Sequence, residues 1–291
     1  MTASKFAIPL CVALACGPSV VMADPILAPD LASFAVLGAT GVTNVPMSTI
    51  GGNLGSSPNA SVDGGYIFTA GSLQANTLTA QQAQLDLDAA ITDLGLLGPS
   101  LLLGADLTGT IFPGVYAVPA GPTNLSGALT LDGQGNANAV WVFQMASTLI
   151  TSTTSSVSVI NTGVGAGIYW NVADAATLDG PTFAGNVLAD KLISSDGDLT
   201  LACGRLLSAT AQVTLIQDTI SIGCEAGSGG EGSNGFSGGL DVTTTPDGRE
   251  VAFLPFAPVS DISDVPEPGT LLLLGFGLAG LLASRRKFPA T

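Results

Sequence analysis

Leu129-Thr130-Leu131-Asp132-Gly133, Ala176-Thr177-Leu178-Asp179-Gly180, Leu199-Thr200-Leu201 and Val213-Thr214-Leu215 repeat one short pattern. Successive residues of a strand face opposite sides, so in each copy Leu can point inward while the preceding Thr points out. The Thr positions 130, 177, 200 and 214 are unevenly spaced. This excludes a strict-period β-helix but allows stacked turns of unequal length. Around these copies, runs such as Ala139-Val140-Trp141-Val142-Phe143, Gly167-Ile168-Tyr169-Trp170-Asn171-Val172 and Ala211-Gln212-Val213-Thr214-Leu215 alternate with Gly, Asn, Asp and Pro. Such punctuation reads as short strands, and the chain as mainly β.

One segment breaks this pattern. Ala83, Leu87, Ala90, Ile91 and Leu94 recur at helical spacing, with Gln84, Asp88, Thr92 and Asp93 opposite, and predict a single long helix over 79–97. Thr79 and Gln82 have capping-box spacing, and Gly95, Gly98 and Pro99 stop the helix. Its apolar stripe must lie against something apolar.

Composition excludes several functions. The 291 residues hold 7 Lys+Arg against 22 Asp+Glu, a formal net charge of -15, and no His. Clustered cations for nucleic-acid phosphates are missing, so nucleic acid is not a predicted partner. Without His there is no Ser-His-Asp triad, Cys-His pair or zincin site, and no enzyme, cofactor or metal site is predicted. An aromatic fraction of 5% does not supply sugar- or base-stacking platforms.

Both ends read as targeting segments. Lys5, the apolar run Phe6 to Cys16, and Val21-Met22-Ala23 before Asp24-Pro25 form a signal peptide over 1–23, implying Sec export and a mature start near Asp24. Lipoprotein cleavage at Cys16 is the weaker alternative, because Ala13 stands where Leu is expected. At the other end Val265-Pro266-Glu267-Pro268 precedes an apolar stretch over 270–284 and Arg285-Arg286-Lys287. As a helix that stretch is about 22 Å long, short against a hydrocarbon core of about 30 Å, so it is a marginal permanent span. The basic triplet keeps the C-terminus cytoplasmic before processing. Motif, short helix and basic tail together resemble the PEP-CTERM sorting signal, here 265–291. That resemblance implies exosortase as a processing partner, the inner membrane as a temporary one, a Gram-negative cell surface or extracellular destination, and exopolysaccharide as a further partner.

Between these ends the only basic residues are Lys191, Arg205 and Arg249, so the exported body is more acidic than the whole chain. Cys203 and Cys224 remain after leader removal and are predicted to pair, since an even pair in an oxidising compartment favours a disulfide. Seven of the thirteen residues 227–239 are Gly and three are Ser, so 225–264 reads as a linker with one hairpin around Pro246-Asp247-Gly248.

From Leu31 to Cys224 there are 22 Thr and 12 Asp but no Glu. Thr suits strands in any case. Rows of Thr and Ser on a flat stacked face would also set methyls and hydroxyls on a grid of about 4.8 Å by about 6.6 Å, a surface able to order water. Ser33 to Asn44, Thr49 to Pro58, the Gln/Ala-rich helix, Pro113-Gly114-Val115-Tyr116, Phe183 to Ala189 and Gly204-Arg205-Leu206-Leu207 resemble the microbial ice-binding-protein-like domain over about 28–224. The resemblance implies a discontinuous right-handed β-solenoid, a triangular β-helix, with one long α-helix packed alongside. It further implies adsorption to ice or ordered water through a flat face, often with a Thr-Ala/Gly-x-Thr/Asn pattern. Thr40-Gly41-Val42-Thr43 matches that pattern, while Thr210-Ala211-Gln212-Val213 departs at its fourth position. Candidate ice-contacting residues are Thr40, Thr43, Thr151, Thr153, Ser208 and Thr210. The carboxylates in Ser194-Ser195-Asp196-Gly197-Asp198 leave an alternative open: a structural or adhesive envelope or exopolysaccharide-associated protein without ice affinity.

Overall fold

A computed structural model describes residues 23–224, 228–246 and 248–259. The leader before residue 23, the sorting motif 265–268, the transmembrane expectation for 270–284 and the basic tail lie outside the described residues. Among those described, no helix is long and apolar enough to cross a membrane.

The strands form three parallel faces, visited in rotation. Sheet A has nine strands in the order Leu73–Ala75, Asn53–Ser56, Phe34–Gly38, Gly204–Ser208, Gly185–Ala189, Gly167–Val172, Val140–Met145, Gly114–Val118 and Leu101–Leu102. Sheet B has five: Leu149–Ile150, Ala176–Leu178, Ile193–Ser195, Gln212–Ile216 and Gly41–Val45. Sheet C has two blocks, Ser156–Thr162 with Ala128–Asn136 and Gly109–Ile111, and Thr200–Leu201 with Thr219–Ser221, Ser48–Gly51 and Tyr66–Ala70. Thr182 alone bridges the blocks, pairing with Ser156 and Thr200. No sheet closes on itself among the described residues.

The stacking order differs from the chain order. The last A-B-C turn pairs with the first on all three faces, through Leu206 with Val36, Val213 with Val42 and Ile220 with Ile50. The chain therefore makes its first turns at one end of the stack, crosses to the other end, and returns turn by turn until it docks on its own beginning. The crossing is made by helix α2, Leu78–Leu96. Eight strand spacings of about 4.8 Å make sheet A about 38 Å high, and 19 helical residues cover about 28 Å of that height.

Two cores result. Inside the three sheets, Tyr116, Phe143 and Trp170 stack in register, at centroid separations of 5.8 and 4.2 Å, and Phe183 continues the pile at 5.0 Å. Each buried indole N–H is satisfied, Trp141 by the Ile111 carbonyl and Trp170 by that of Ala184. Outside sheet A, Leu37, Val142, Tyr169, Leu188 and Leu207 pack with Ala83, Leu87, Ala90 and Leu94 of α2. Sheet A is thus buried on both faces, which is why its strands are apolar runs rather than alternating ones.

Three expectations change. A one-turn helix α1, Pro29–Ala32, joins α2, so the prediction of a single helix is incomplete. The cap of α2 is Thr77, whose hydroxyl accepts from Ala80 N–H, rather than Thr79; Gln82 turns along the helix to Asp86 instead of back to the backbone. The linker-like stretch is packed: Phe236 is fully buried, and a Cβ on Gly238 would stand 2.4 Å from the Gly165 carbonyl oxygen. Its glycines permit close backbone approach rather than freedom. The predicted hairpin, Leu240–Thr245 with Gly248–Phe253, is present, pairs on its other edge with Ala23–Pro25, and joins α2 through Arg249 and Asp93. Cys203 and Cys224 form the predicted disulfide.

Candidate functional site

α1, α2 and the hairpin cover sheet A, leaving sheets B and C as broad surfaces. On sheet B the alternation predicted from the sequence is realised in register. Leu149, Ala176, Ile193, Val213 and Val42 form the inward file, all fully buried. One residue further along each strand, Ile150, Thr177, Ser194, Thr214 and Thr43 form an outward file, each partly exposed. Neighbours in such a file are about 4.8 Å apart. The Thr43 hydroxyl donates to that of Thr214 at 3.1 Å, fixing two rotors. A second outward pair, Ile216 with Val45, adds apolar surface to the same face.

A buried polar knot supports the end of this sheet. Ser195 donates to Asp218 Oδ2, Ile216 N–H also donates to that oxygen, and Leu199 N–H donates to Asp218 Oδ1. Asp218 N–H in turn donates to Ser48. Burial pushes the Asp218 carboxyl up, while the three bonds it accepts oppose that. The knot joins the turn from sheet B to sheet C and holds strand ends level. Asp179 and Asp196 stand just past the outward file; partial burial, and secondarily Asp196, raise the Asp179 carboxyl. At the opposite border Lys191 pairs with Asp174 at 2.8 Å.

The six candidate ice-contacting residues separate. Thr43 lies in the outward file of sheet B. Thr40 and Thr210 are exposed in turns from sheet A to sheet B, beside that file, with the Thr210 hydroxyl donating to the Asp190 carbonyl. Thr153 is exposed but lies in the turn beyond sheet B. Two choices are corrected. Thr151 is 1% exposed, and its hydroxyl accepts from the Asp179 and Gly180 N–H groups; Ser208 is fully buried and donates to the Lys191 carbonyl. A corner follows each residue, so neither shares a free strand face with its partner at i+2.

Sheet C carries a file that the sequence reading did not assemble: Ser156, Thr182, Thr200, Thr219 and Thr49. A second row there, Thr110, Thr130 and Ser158, includes a 3.2 Å hydroxyl contact between Thr130 and Ser158. This face is divided, however. A cleft lined by Val157, Val159, Phe183 and Ala202 runs between its blocks, with Ser228 on the wall. Sheet B has no such break.

The comparison with known families decides membership. Residues 36–221 match the model described as ice-binding-like. The chain belongs to that family. Residues 264–287 match the PEP-CTERM protein-sorting motif, a signal for export and surface sorting in Gram-negative bacteria. The chain is 34% identical to an ice-binding protein of Nostoc sp. (strain HG1) over 266 residues, covering 88% of this chain and 84% of that protein. Over 216 residues it is 30% identical to an ice-binding protein of Flavobacterium frigoris (strain PS1), covering 66% and 74%. Among solved structures it is similar to an ice-binding protein of the Antarctic ascomycete Antarctomyces psychrotrophicus, with TM-score 0.62, 31% identity, and coverage of 69% of this chain and 98% of that one. It is likewise similar to an ice-binding protein from an Antarctic biological consortium, with TM-score 0.62, 31% identity and coverage of 74% and 96%. In this chain the strand Gly41–Val45 follows directly on Thr40 of the Thr-Gly-Val-Thr pattern, and it belongs to sheet B.

Proposed function

We propose that this exported chain adsorbs to ice through sheet B. The three parallel faces are read as a discontinuous, right-handed, triangular β-solenoid, with α2 as the long helix alongside it. The observation that carries the reading is the unbroken in-register file Ile150, Thr177, Ser194, Thr214 and Thr43, flanked by Thr40 and Thr210. Methyls and hydroxyls at a regular spacing of about 4.8 Å can hold an ordered water layer, and the file itself contains no strongly hydrated ammonium or carboxylate. Adsorption would block growth between bound molecules. The proposed organisation is a leader over 1–23, a solenoid domain over about 28–224 against which 228–246 and 248–259 pack, and a sorting segment over 265–291, with Sec export, leader removal before about Asp24, and exosortase processing near Pro266-Glu267-Pro268.

Asp179 and Asp196 beside the file favour the second reading, an adhesive envelope protein without ice affinity. Thermal hysteresis and ice-affinity partition of the exported chain distinguish the two. Thr177→Tyr and Thr214→Tyr should abolish most ice shaping, because one bulky ring lifts a flat face off its lattice, whereas Thr200→Tyr on sheet C should leave it. Absence of ice shaping by the parent would overturn the ice reading; loss only with Thr200→Tyr would move the site to sheet C.

A further inference from the structure

We propose that, while the sorting segment is still attached, the body rests on the lipid surface by the corner between sheets C and A and turns sheet B outward. This goes beyond the ice-binding reading. Its consequence, a cell held to ice by an anchored molecule, rests on that reading.

The first support is the point at which the chain leaves the body. Val259 N–H donates to the Gly135 carbonyl, Ala257 N–H to Asn136 Oδ1, Ala137 N–H to the Ala257 carbonyl, and Asn138 Nδ2 to the Pro255 carbonyl. Residues 135–136 end the strand Ala128–Asn136 of sheet C, and 137–139 turn the chain into Val140–Met145 of sheet A. In a three-sided turn that corner is the one opposite sheet B. Only residues 260–263 lie between the fixed Val259 and the matched sorting segment at 264–287. The apolar stretch that enters the lipid begins at 270, so ten residues, 260–269, link Val259 to it; they span at most about 36 Å, and the exit corner stays within that distance of the lipid.

Surface chemistry points the same way. Around the exit, Ile160, Val164, Phe253 and Phe256 are 43%, 65%, 49% and 66% exposed, a group of large apolar side chains that can sit at a headgroup boundary. The described acidic residues beside that corner are Asp132 and Glu231, with Asp241 opposite Ala252 in the hairpin that carries Phe253. By contrast Asp174, Asp179, Asp190, Asp196 and Asp198 stand on sheet B or in the turns that enter and leave it. An anionic leaflet repels that side at contact, within a Debye length of about 8 Å. Tether, apolar rim and charge therefore select one orientation.

Site-specific labelling tests it on the full chain, expressed in a Gram-negative host lacking exosortase so that the sorting segment is retained. Val164→Cys and Phe256→Cys are exposed positions and Thr177→Cys a partly exposed one, each treated with a bulky membrane-impermeant maleimide on spheroplasts and again after detergent extraction. Val164→Cys and Phe256→Cys should label several-fold faster after extraction, and Thr177→Cys equally in both states. Equal labelling of the corner positions in both states, protection of Thr177→Cys on spheroplasts, or recovery of the full chain in the soluble fraction would overturn the proposal. Ice partition of the extracted parent is measured in parallel. Failure there would sink the ice reading and leave the orientation standing.

Discussion

Arg205 is fully buried, with carbonyl dipoles rather than a carboxylate around its guanidinium. It donates to the Ala32, Asn234 and Gly235 carbonyls and to Asn186 Oδ1, and burial pushes its pKa down to about 10. It therefore stays charged at neutral pH and ties together the start of the first turn, the last turn and the glycine-rich stretch. Arg205→Met should destabilise the protein by about 3 kcal/mol or more in urea unfolding, because four acceptors lose their donor in a dry site. Arg205→Lys should recover little, since an ammonium cannot reproduce the planar fork. Asp179 tests the opposite situation. Its carboxyl is raised by burial and by Asp196, so the folded state holds its proton more tightly than the unfolded state does. The resulting penalty is absent below the unfolded value of about 3.9 and grows as pH rises through the folded one. Asp179→Asn should raise the urea midpoint at pH 7 and leave it unchanged near pH 3. At this scale the sequence identified Thr177 and Thr214 as outward residues through alternation alone, and Thr43 through the Thr-Gly-Val-Thr pattern that the family resemblance supplies. It could not place Thr151 or Ser208, because each lies where a strand ends and a corner reverses the alternation.

Among the elements, α2 was the most legible. Its stripe of Ala83, Leu87, Ala90 and Leu94 is buried as the spacing requires. Its start was misplaced by two residues because Thr77 and Thr79 are chemically equivalent caps, and only the approach of the chain from Leu73–Ala75 selects Thr77. Thr77→Ala should cost about 1 kcal/mol, measured by thermal or urea unfolding. The hairpin was legible from Pro246-Asp247-Gly248, but its docking was not. Asp93, 1% exposed in its side chain, reads as part of the polar face of α2 until Arg249 reaches it from the hairpin. Arg249→Ala should leave Asp93 without its cation and loosen the hairpin: amide exchange over 240–253 should accelerate while the strands of sheet B keep their protection. Equal acceleration in both regions would show that the hairpin and the stack unfold as one unit.

For the molecule as a whole, the decisive contact joins segments about 170 residues apart, where Gly204–Ser208 pairs with Phe34–Gly38. Such long-range closure makes folding slow, and refolding followed by Trp141 and Trp170 fluorescence should take on the order of seconds. The disulfide closes a loop that includes the turn through sheet B; reduction should lower stability by about 3 kcal/mol, seen as a shift in urea midpoint. The sequence by itself determined the mainly β class, the amphipathic helix, the disulfide pair and an acidic, His-free body carrying outward threonines. These follow from local alternation, periodicity and composition. Tertiary structure alone decided which threonines stand together. Val213-Thr214-Leu215 and Leu199-Thr200-Leu201 are nearly identical in pattern, yet Thr214 joins unbroken sheet B and Thr200 joins divided sheet C. A strand motif fixes which side chains point out. The face they point from depends on where each turn corners and which distant strand lies beside it, and neither is encoded within the motif.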